Sequence, residues 1–152
     1  MYTKNEQFML KALNQAKLAY GKGEAAVGAI IVKDGQILAR GHNLKEAKHD
    51  VTSHAEIEAI RKAAKQLGTW RLDQCDMYVT LEPCAMCAGA IIQSRIRTLY
   101  IGAMDNKSGS AGSVVDLFRV QQFNHRVDVV LGLLQEQCTE ILKKFFEELR
   151  KK

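Results

Sequence analysis

The chain has 152 residues, 47% of them hydrophobic, and this length suits one compact domain over residues 1–152. A net charge of +5, from 22 basic and 17 acidic residues, permits attraction to a polyanion but does not identify nucleic acid as the partner. No stretch approaches the roughly 18 apolar residues of a membrane span, and the polar start lacks the apolar core of a secretory signal. We therefore expect a cytoplasmic protein with no membrane association.

The first forty residues predict a helix and then a hairpin. Apolar residues recur at helical spacing from Phe8 to Ala19, and glycines then mark the end of the helix. A β-branched run over 27–32 precedes Asp34-Gly35, a strong turn signal, and the extended pattern resumes over 37–39. These two segments are predicted to pair as antiparallel strands.

A second helix is predicted from the segment that follows. Asp50, Thr52 or Ser53 can supply its N-cap, since short polar side chains accept hydrogen bonds from the first helical N–H groups. Its apolar residues continue to Leu67, and Gly68 marks its end.

The second half of the chain continues to alternate strands with helices. Pro83 marks a helix start, because its fixed φ suits the first helical position. This alternation predicts a three-layer α/β/α sandwich with a central mixed sheet of about five strands, mixed because it begins with a hairpin. The predicted elements are strand 77–81, strand 99–101, a Gly/Ser-rich loop through Gly112, a short segment 114–118, strand 127–131 and helix 135–149.

Two short motifs carry the chemistry, His54-Ala55-Glu56 and Pro83-Cys84-Ala85-Met86-Cys87. They offer three zinc donors, His54, Cys84 and Cys87, and one carboxylate that need not be a ligand. A structural zinc normally has four protein donors, whereas a catalytic zinc keeps one position open for water. The two cysteines lie at i and i+3 near a helix start, where the N–H groups and the dipole favour the thiolate.

Glu56 follows the histidine by two positions, within the first turn of a helix, and could lie beside a metal-bound water. Zinc can lower the pKa of its water from about 15.7 toward about 7, and Glu56 could accept that proton and pass it to a leaving group. Such a pair suits attack on an amidine-like carbon that bears an exocyclic amine. Deamination of a base is that reaction.

Other interpretations of the cysteines remain open. Cys-x-x-Cys alone could be a redox pair or half of a structural zinc site in a noncatalytic, RNA-binding protein. The fourth donor would then be Cys75, Cys138 or a histidine, although we expect Cys75 and Cys138 to be buried packing residues.

These motifs resemble the zinc deaminases of the cytidine-deaminase superfamily. Within it, the segments that flank the motifs resemble the bacterial tRNA-specific adenosine deaminases over nearly the whole chain. The family often has proline where Ala26 and Val51 stand here. The matching segments are 27–29, 54–57, 70–72, 79–91, 94–96, 124–126 and 145–146.

The resemblance implies a cytidine-deaminase-like fold and hydrolytic conversion of adenosine to inosine at the wobble position of a tRNA anticodon. It also implies one Zn²⁺ per subunit, held by His54, Cys84 and Cys87, with Glu56 as the catalytic proton shuttle. The implied partners are a tRNA anticodon stem-loop and a second copy of the chain, with no nucleotide cofactor. Deamination of a free base or nucleoside, such as guanine or cytidine, is the alternative.

The resemblance also implies which residues contact substrate. Asn43 would hold the flipped purine, with the Ala55 backbone and Val27 as neighbours, although asparagine is also common in turns. The remaining candidates would meet the flanking nucleotides: Asp105, Lys107, Phe146 and Arg150.

Overall fold

Residues 1–151, the part of the chain that the structure, a computed structural model, describes, contain five strands and five α-helices. Lys152, the last residue of the predicted domain, lies outside the described residues. No helix within residues 1–151 combines the length and apolar character needed to cross a bilayer. The helices are α1 (Lys4–Gly21), α2 (Lys45–Lys48), α3 (Ala55–Leu67), α4 (Ala85–Gln93) and α5 (Gln135–Arg150). The strands are β1 (Gly28–Lys33), β2 (Gln36–His42), β3 (Cys75–Leu81), β4 (Thr98–Ala103) and β5 (Asp128–Val130).

The strands form one mixed sheet in the order β2-β1-β3-β4-β5. β1 runs antiparallel to both of its neighbours, whereas β3, β4 and β5 run parallel to one another. β2 and β3 therefore point the same way, although they are not adjacent. The predicted mixed sheet of about five strands is confirmed.

The turn between β1 and β2 has the geometry that its sequence predicts. Asp34 and Gly35 both have positive φ, 52° and 74°, as a two-residue type I′ turn requires. Lys33 pairs with Gln36 across the turn, so the hairpin is as tight as two linking residues allow.

Helices cover both faces of the sheet. Neighbouring residues of β1 point to opposite faces, and Ile30 and Ile31 are both fully buried, which explains the continuous apolar run in this strand. Ile30 packs into a cluster with residues of α1 and α5, and Ile31 packs into a second cluster with residues of α3 and α4. The predicted α/β/α sandwich is thus confirmed.

The predicted N-cap of α3 is wrong. His54 occupies the cap position, with extended backbone at φ −75° and ψ 159°, and its side chain makes no capping hydrogen bond. The Asp50 carboxylate instead accepts hydrogen bonds from the Thr52 N–H at 2.9 Å and the Thr52 hydroxyl at 2.7 Å, which close a separate turn. Ser53 also precedes the cap. The imidazole at the start of α3 is therefore free to face other partners.

The predicted start of α4 is shifted by two residues. The helix begins at Ala85, and Cys84 is its N-cap, with φ −74° and ψ 176°. Pro83 therefore precedes the cap and does not occupy the first helical position.

The short helix α2 is absent from the sequence prediction. Its first turn is held by Glu24, a buried residue from the loop between α1 and β1. The Glu24 carboxylate accepts hydrogen bonds from the N–H groups of Glu46, at 3.0 Å, and Ala47, at 2.7 Å. Because this cap comes from a residue more than twenty positions away, local sequence could not reveal the helix.

Two glycines allow helices to approach the sheet closely. A Cβ on Gly28 would lie 2.7 Å from the Gln15 Cβ and would also clash with the α1 backbone. A Cβ on Gly41 would lie 2.6 Å from the Ala59 N–H nitrogen and would also clash with the Ala55 carbonyl oxygen. Any larger side chain at these positions must displace a helix. At Gly41 the displaced helix would be α3, which carries the histidine motif.

Gly41→Ala is expected to destabilise the fold by about 1–3 kcal/mol, because the added methyl group must push α3 away from β2. Urea unfolding followed by circular dichroism measures the change. Gly21→Ala is the matched control, since a Cβ there meets no atom within 4 Å. At this helical position the same substitution should be neutral or stabilise by up to about 1 kcal/mol. Equal stability of both variants would contradict the close-approach argument.

Candidate metal centre and cavity

The candidate site lies at one edge of the sheet, where β2, β3 and β4 all end. Asn43 follows β2, the Glu82-Pro83-Cys84 segment follows β3, and Asp105 comes shortly after β4. The carboxyl ends of strands that point the same way meet at one edge, and in α/β sheets ligands bind outside that edge. Functional candidates that are far apart in sequence therefore converge here.

The three predicted metal donors are brought together by the starts of two helices. His54 is the N-cap of α3, and Cys84 and Cys87 lie at the N-cap and third position of α4. His54 Nδ1 lies 3.6 Å from Cys84 Sγ and 3.4 Å from Cys87 Sγ. The three donor atoms all lie within 4.8 Å of one another.

These distances fit a tetrahedral zinc ion. With Zn–N of about 2.0–2.1 Å and Zn–S of about 2.3 Å, tetrahedral angles place a nitrogen and a sulfur donor about 3.6 Å apart. Within residues 1–151, the donor group contains only these three side chains. One imidazole and two thiolates therefore suit zinc and leave room for a fourth, non-protein ligand.

The other two cysteines lie elsewhere, as predicted for packing residues. Cys75 and Cys138 are fully buried. Cys75 begins β3, at the far end of the strand that leads to Cys84, and seven extended residues span about 20 Å. Cys138 lies in α5 and packs against Gly102 of β4. Neither position suits a fourth donor.

Hydrogen bonds within the donor group distribute its protons. A hydrogen bond from the Cys87 thiol, supported by one from His54, lowers the pKa of Cys84 to about 4. The same Cys87–Cys84 bond, together with burial, raises the pKa of Cys87. The bond to Cys84 also raises the pKa of His54. A zinc ion would displace these protons, because metal ligands must be deprotonated.

Glu56 lines a cavity of about 210 Å³ beside the donor group. Its side chain is buried, and this burial raises the pKa of the carboxyl group to about 7. Both of its protonation states are therefore accessible near neutral pH, as a group that must accept and return a proton requires.

The structure places five of the seven predicted substrate contacts on the cavity wall. Lys107 and Arg150 are exposed and do not line it, so their contact with substrate stays a prediction. The five lining residues are Val27, Asn43, Ala55, Asp105 and Phe146.

Asn43 is fixed by its surroundings. Its N–H donates to the Val27 carbonyl at 3.2 Å, and its Oδ1 accepts from the Lys45 N–H at 3.4 Å. The preceding residue, His42, is buried, and its ring nitrogens contact Lys22 Nζ at 2.9 Å and Gln15 Oε1 at 3.2 Å. Lysine can only donate, so His42 Nε2 accepts and Nδ1–H donates. These bonds hold the strand end from which Asn43 enters the cavity.

Sequence reasoning missed the remaining lining residues. Glu82 is the most informative of them, because a charged residue between a buried strand and Pro83 is unusual unless its charge is compensated. Ser108 belongs to the Gly/Ser-rich loop, where composition indicates a turn but no contact. The missed residues are Ala25, Leu81, Glu82 and Ser108.

Cys84→Ser and Cys87→Ser are expected to reduce zinc affinity by more than about 100-fold, because even outer-shell changes at zinc sites cost about 10–100-fold. Inductively coupled plasma mass spectrometry of the purified protein, after competition with a chelator, measures the retained zinc. Cys75→Ser and Cys138→Ser are controls that should retain it, since both cysteines are buried without belonging to the donor group. Loss of zinc from either control would indicate a fourth protein ligand.

Comparison with known proteins identifies the family. A model of the MafB19-like deaminase family matches residues 3–150. The tRNA-specific adenosine deaminase of Bacillus subtilis is 47% identical over 150 residues, which cover 99% of this chain and 93% of that protein. The tRNA-specific adenosine deaminase of Aquifex aeolicus is 45% identical over 145 residues, which cover 95% of each.

Solved structures agree with these sequence matches. A structure from studies of A-to-I editing by tRNA:A34 deaminases at the wobble position of transfer RNA gives a TM-score of 0.87 at 46% identity. The match covers 90% of this chain and 99% of that chain. A guanine deaminase from Bacillus subtilis gives a TM-score of 0.63 at 43% identity, over 65% of this chain and 64% of that chain. The chain belongs to the tRNA-specific adenosine deaminase family.

Proposed function

We propose that this protein converts adenosine to inosine at the wobble position of a tRNA anticodon, by hydrolysis. The observation that carries the proposal is a single cavity that joins the His54, Cys84 and Cys87 donor group to a buried carboxyl group, Glu56. The near full-length match to tRNA-specific adenosine deaminases supplies the substrate class.

The size of the cavity supports a single base as the reacting group. Ligand pockets commonly measure about 300–1,000 Å³, whereas this one encloses about 210 Å³. A purine base fits such a volume better than a whole nucleotide, so the sugar and phosphates would remain at the rim. An unpaired anticodon loop reduces the cost of moving a base out of its stack, which is a few kcal/mol in a duplex.

In the proposed reaction, water adds to C6 of adenine, the C6–N bond breaks, and inosine and ammonia are released. Glu56 takes a proton from the water and delivers it to the departing amino group, because an amine leaves poorly as an anion. Asn43 orients the purine through its side-chain amide. When bound by His54, Cys84 and Cys87, zinc supplies the Lewis acidity that lowers the pKa of water toward about 7.

The rim of the cavity has features that suit an RNA strand. Phe146 is 47% exposed and lines the cavity, and stacking of a base on an aromatic ring contributes about 1–3 kcal/mol. Lys107 and Arg150 are exposed cations that we propose contact phosphates, and the net charge of +5 favours approach of RNA.

We further propose that residues 1–152 form one zinc-dependent domain with one Zn²⁺ per subunit, and that two copies form a homodimer. The outward face of α4 supports a dimer: the helix has no charged residue, and Ala85, Met86 and Ala90 remain partly or fully exposed. An uncharged face of small and apolar side chains is typical of a surface that another subunit covers.

The direct test incubates the zinc-loaded protein with an anticodon stem-loop that carries adenosine at the wobble position. We expect inosine after nuclease digestion and chromatography. Glu56→Gln should retain zinc but lower the rate by about 10²–10⁴-fold, the usual contribution of a positioned acid–base group. Loss of zinc from Glu56→Gln would instead identify Glu56 as a ligand.

Small substrates provide the control for this assay. Free adenosine, guanine and cytidine should release little ammonia in comparison with the stem-loop, because they lack the nucleotides that contact the rim. Rapid turnover of a free base together with inactivity on the stem-loop would reject the proposed substrate.

Ala90→Glu tests the proposed dimer. A charge placed on the outward face of α4 should be costly to bury in an interface, so we expect the native mass to fall from that of a dimer to that of a single chain. Light scattering after gel filtration measures the mass, and Glu140→Gln on the exposed surface of α5 is a control. A dimer that Ala90→Glu leaves intact would place the interface elsewhere.

A further inference from the structure

Glu82 is a buried carboxylate that the proposed reaction does not use. Its side chain belongs to a residue only 2% exposed, and it sits between the end of β3 and the metal-donor segment. A charge in such a place requires hydrogen bonds to compensate for its lost hydration. All of the donors that the structure gives it come from residues 105–113, here named the rim loop.

The donors are spread across the whole rim loop. The N–H groups of Asp105, Ala111 and Ser113 donate to the carboxylate at 2.9, 2.8 and 3.1 Å, and the Ser113 hydroxyl also donates to it. A carboxylate offers about four acceptor sites, so these four donors fill its capacity. Glu82 is therefore suited to hold a loop in place, and it has no acceptor site left for a substrate.

Further contacts join the rim loop to the same segment. The Ser110 N–H donates to the Pro83 carbonyl at 2.8 Å. Gly109 passes so close to Glu82 that a Cβ on this glycine would clash with the carboxylate. The rim loop is thus fastened to the two residues that directly precede Cys84.

The rim loop in turn forms part of the cavity. Asp105 and Ser108 line it, and the Asp105 carboxylate accepts hydrogen bonds from the Lys107 N–H at 3.0 Å and the Ser108 hydroxyl at 2.9 Å. The position of this wall therefore depends on the backbone bonds that Glu82 makes.

We propose that Glu82 is a positioning residue that fixes the rim loop against the metal-donor segment and thereby sets the affinity for the nucleotides that flank the reacting adenosine. This inference rests on the proposed function. Glu82 acts on recognition of the RNA strand, whereas Glu56 acts on the chemistry, so the two carboxylates affect different kinetic constants.

The test measures KM, kcat and zinc content for Glu82→Gln with the anticodon stem-loop. The glutamine amide presents an NH₂ group to backbone N–H groups of the rim loop. Because two donors cannot hydrogen-bond to each other, the rim loop must shift. We expect KM to rise at least tenfold, equivalent to about 1.4 kcal/mol, while kcat falls by a smaller factor and zinc content is unchanged.

Two further variants approach the same contact from the loop. Gly109→Ala places a methyl group against the carboxylate and should also raise KM. Ser113→Ala removes one side-chain donor without adding bulk, so it should fold and give a smaller rise in KM. If Glu82→Gln fails to fold, the KM of Ser113→Ala tests the same contact.

Asp76→Asn separates positioning from general loss of stability. Asp76 lies near the opposite end of β3, where its carboxylate accepts bonds from Arg97 at 3.0 and 2.9 Å. The Asp76→Asn variant should lower the melting temperature without changing KM, whereas the Glu82 and rim-loop variants should change KM.

Each alternative result has a distinct meaning. An unchanged KM in folded Glu82→Gln and Ser113→Ala overturns the inference, and so does a fall in kcat at constant KM, which would place Glu82 in the chemical step. Loss of zinc from Glu82→Gln would assign it to support of the metal site alone. A wild-type protein that binds but does not deaminate the stem-loop would reject the proposed function, and the dissociation constants of the same variants would then decide the role of Glu82.

Discussion

The placement of β1 as an antiparallel strand between β2 and β3 is the constraint on which the site depends. Because β1 reverses direction relative to both neighbours, β2 and β3 point the same way, and parallel pairing adds β4 to that direction. Asn43, Cys84 and Asp105 consequently emerge at one edge of the sheet. A reversed β2 would carry Asn43 and the histidine motif to the opposite edge and separate them from the cysteines.

Most of the architecture could be predicted, because local signals and tertiary structure agree. The Asp34-Gly35 turn, the apolar run of β1 and the glycine after α3 each favour one local structure, and the fold uses all three. The candidate donor group was also predictable, since its residue types and spacing match the demands of zinc, and the structure brings its three donor atoms together.

The misplaced cap of α3 has a local cause, because Asp50 and Thr52 bond to each other and His54 takes the cap position. The helix that sequence could not predict has a distant one, because Glu24 completes α2 from another part of the chain. Glu82 shows the same limit, since its backbone partners lie 23 to 31 positions away. Side-chain to backbone bonds over such separations have no signature in composition or periodicity.

Four buried glutamates, Glu24, Glu56, Glu58 and Glu82, show how one residue type serves different ends. Glu24 and Glu82 accept backbone N–H bonds, and Glu58 pairs with Lys48 at 2.9 Å. Glu56 instead lies beside the metal donors in the cavity, where burial raises its pKa to about 7. Carboxylates whose acceptor sites are filled by the chain stabilise loops, and the carboxylate beside the metal donors is the one poised to react.

The cavity is walled mainly by residues that end strands or begin helices, whereas its mouth is bordered by a loop and the last helix. Changes in the rim loop or in α5 can therefore alter which strand is admitted while the reactive interior keeps its shape. Divergence of such a scaffold toward new substrates would therefore begin at the entrance.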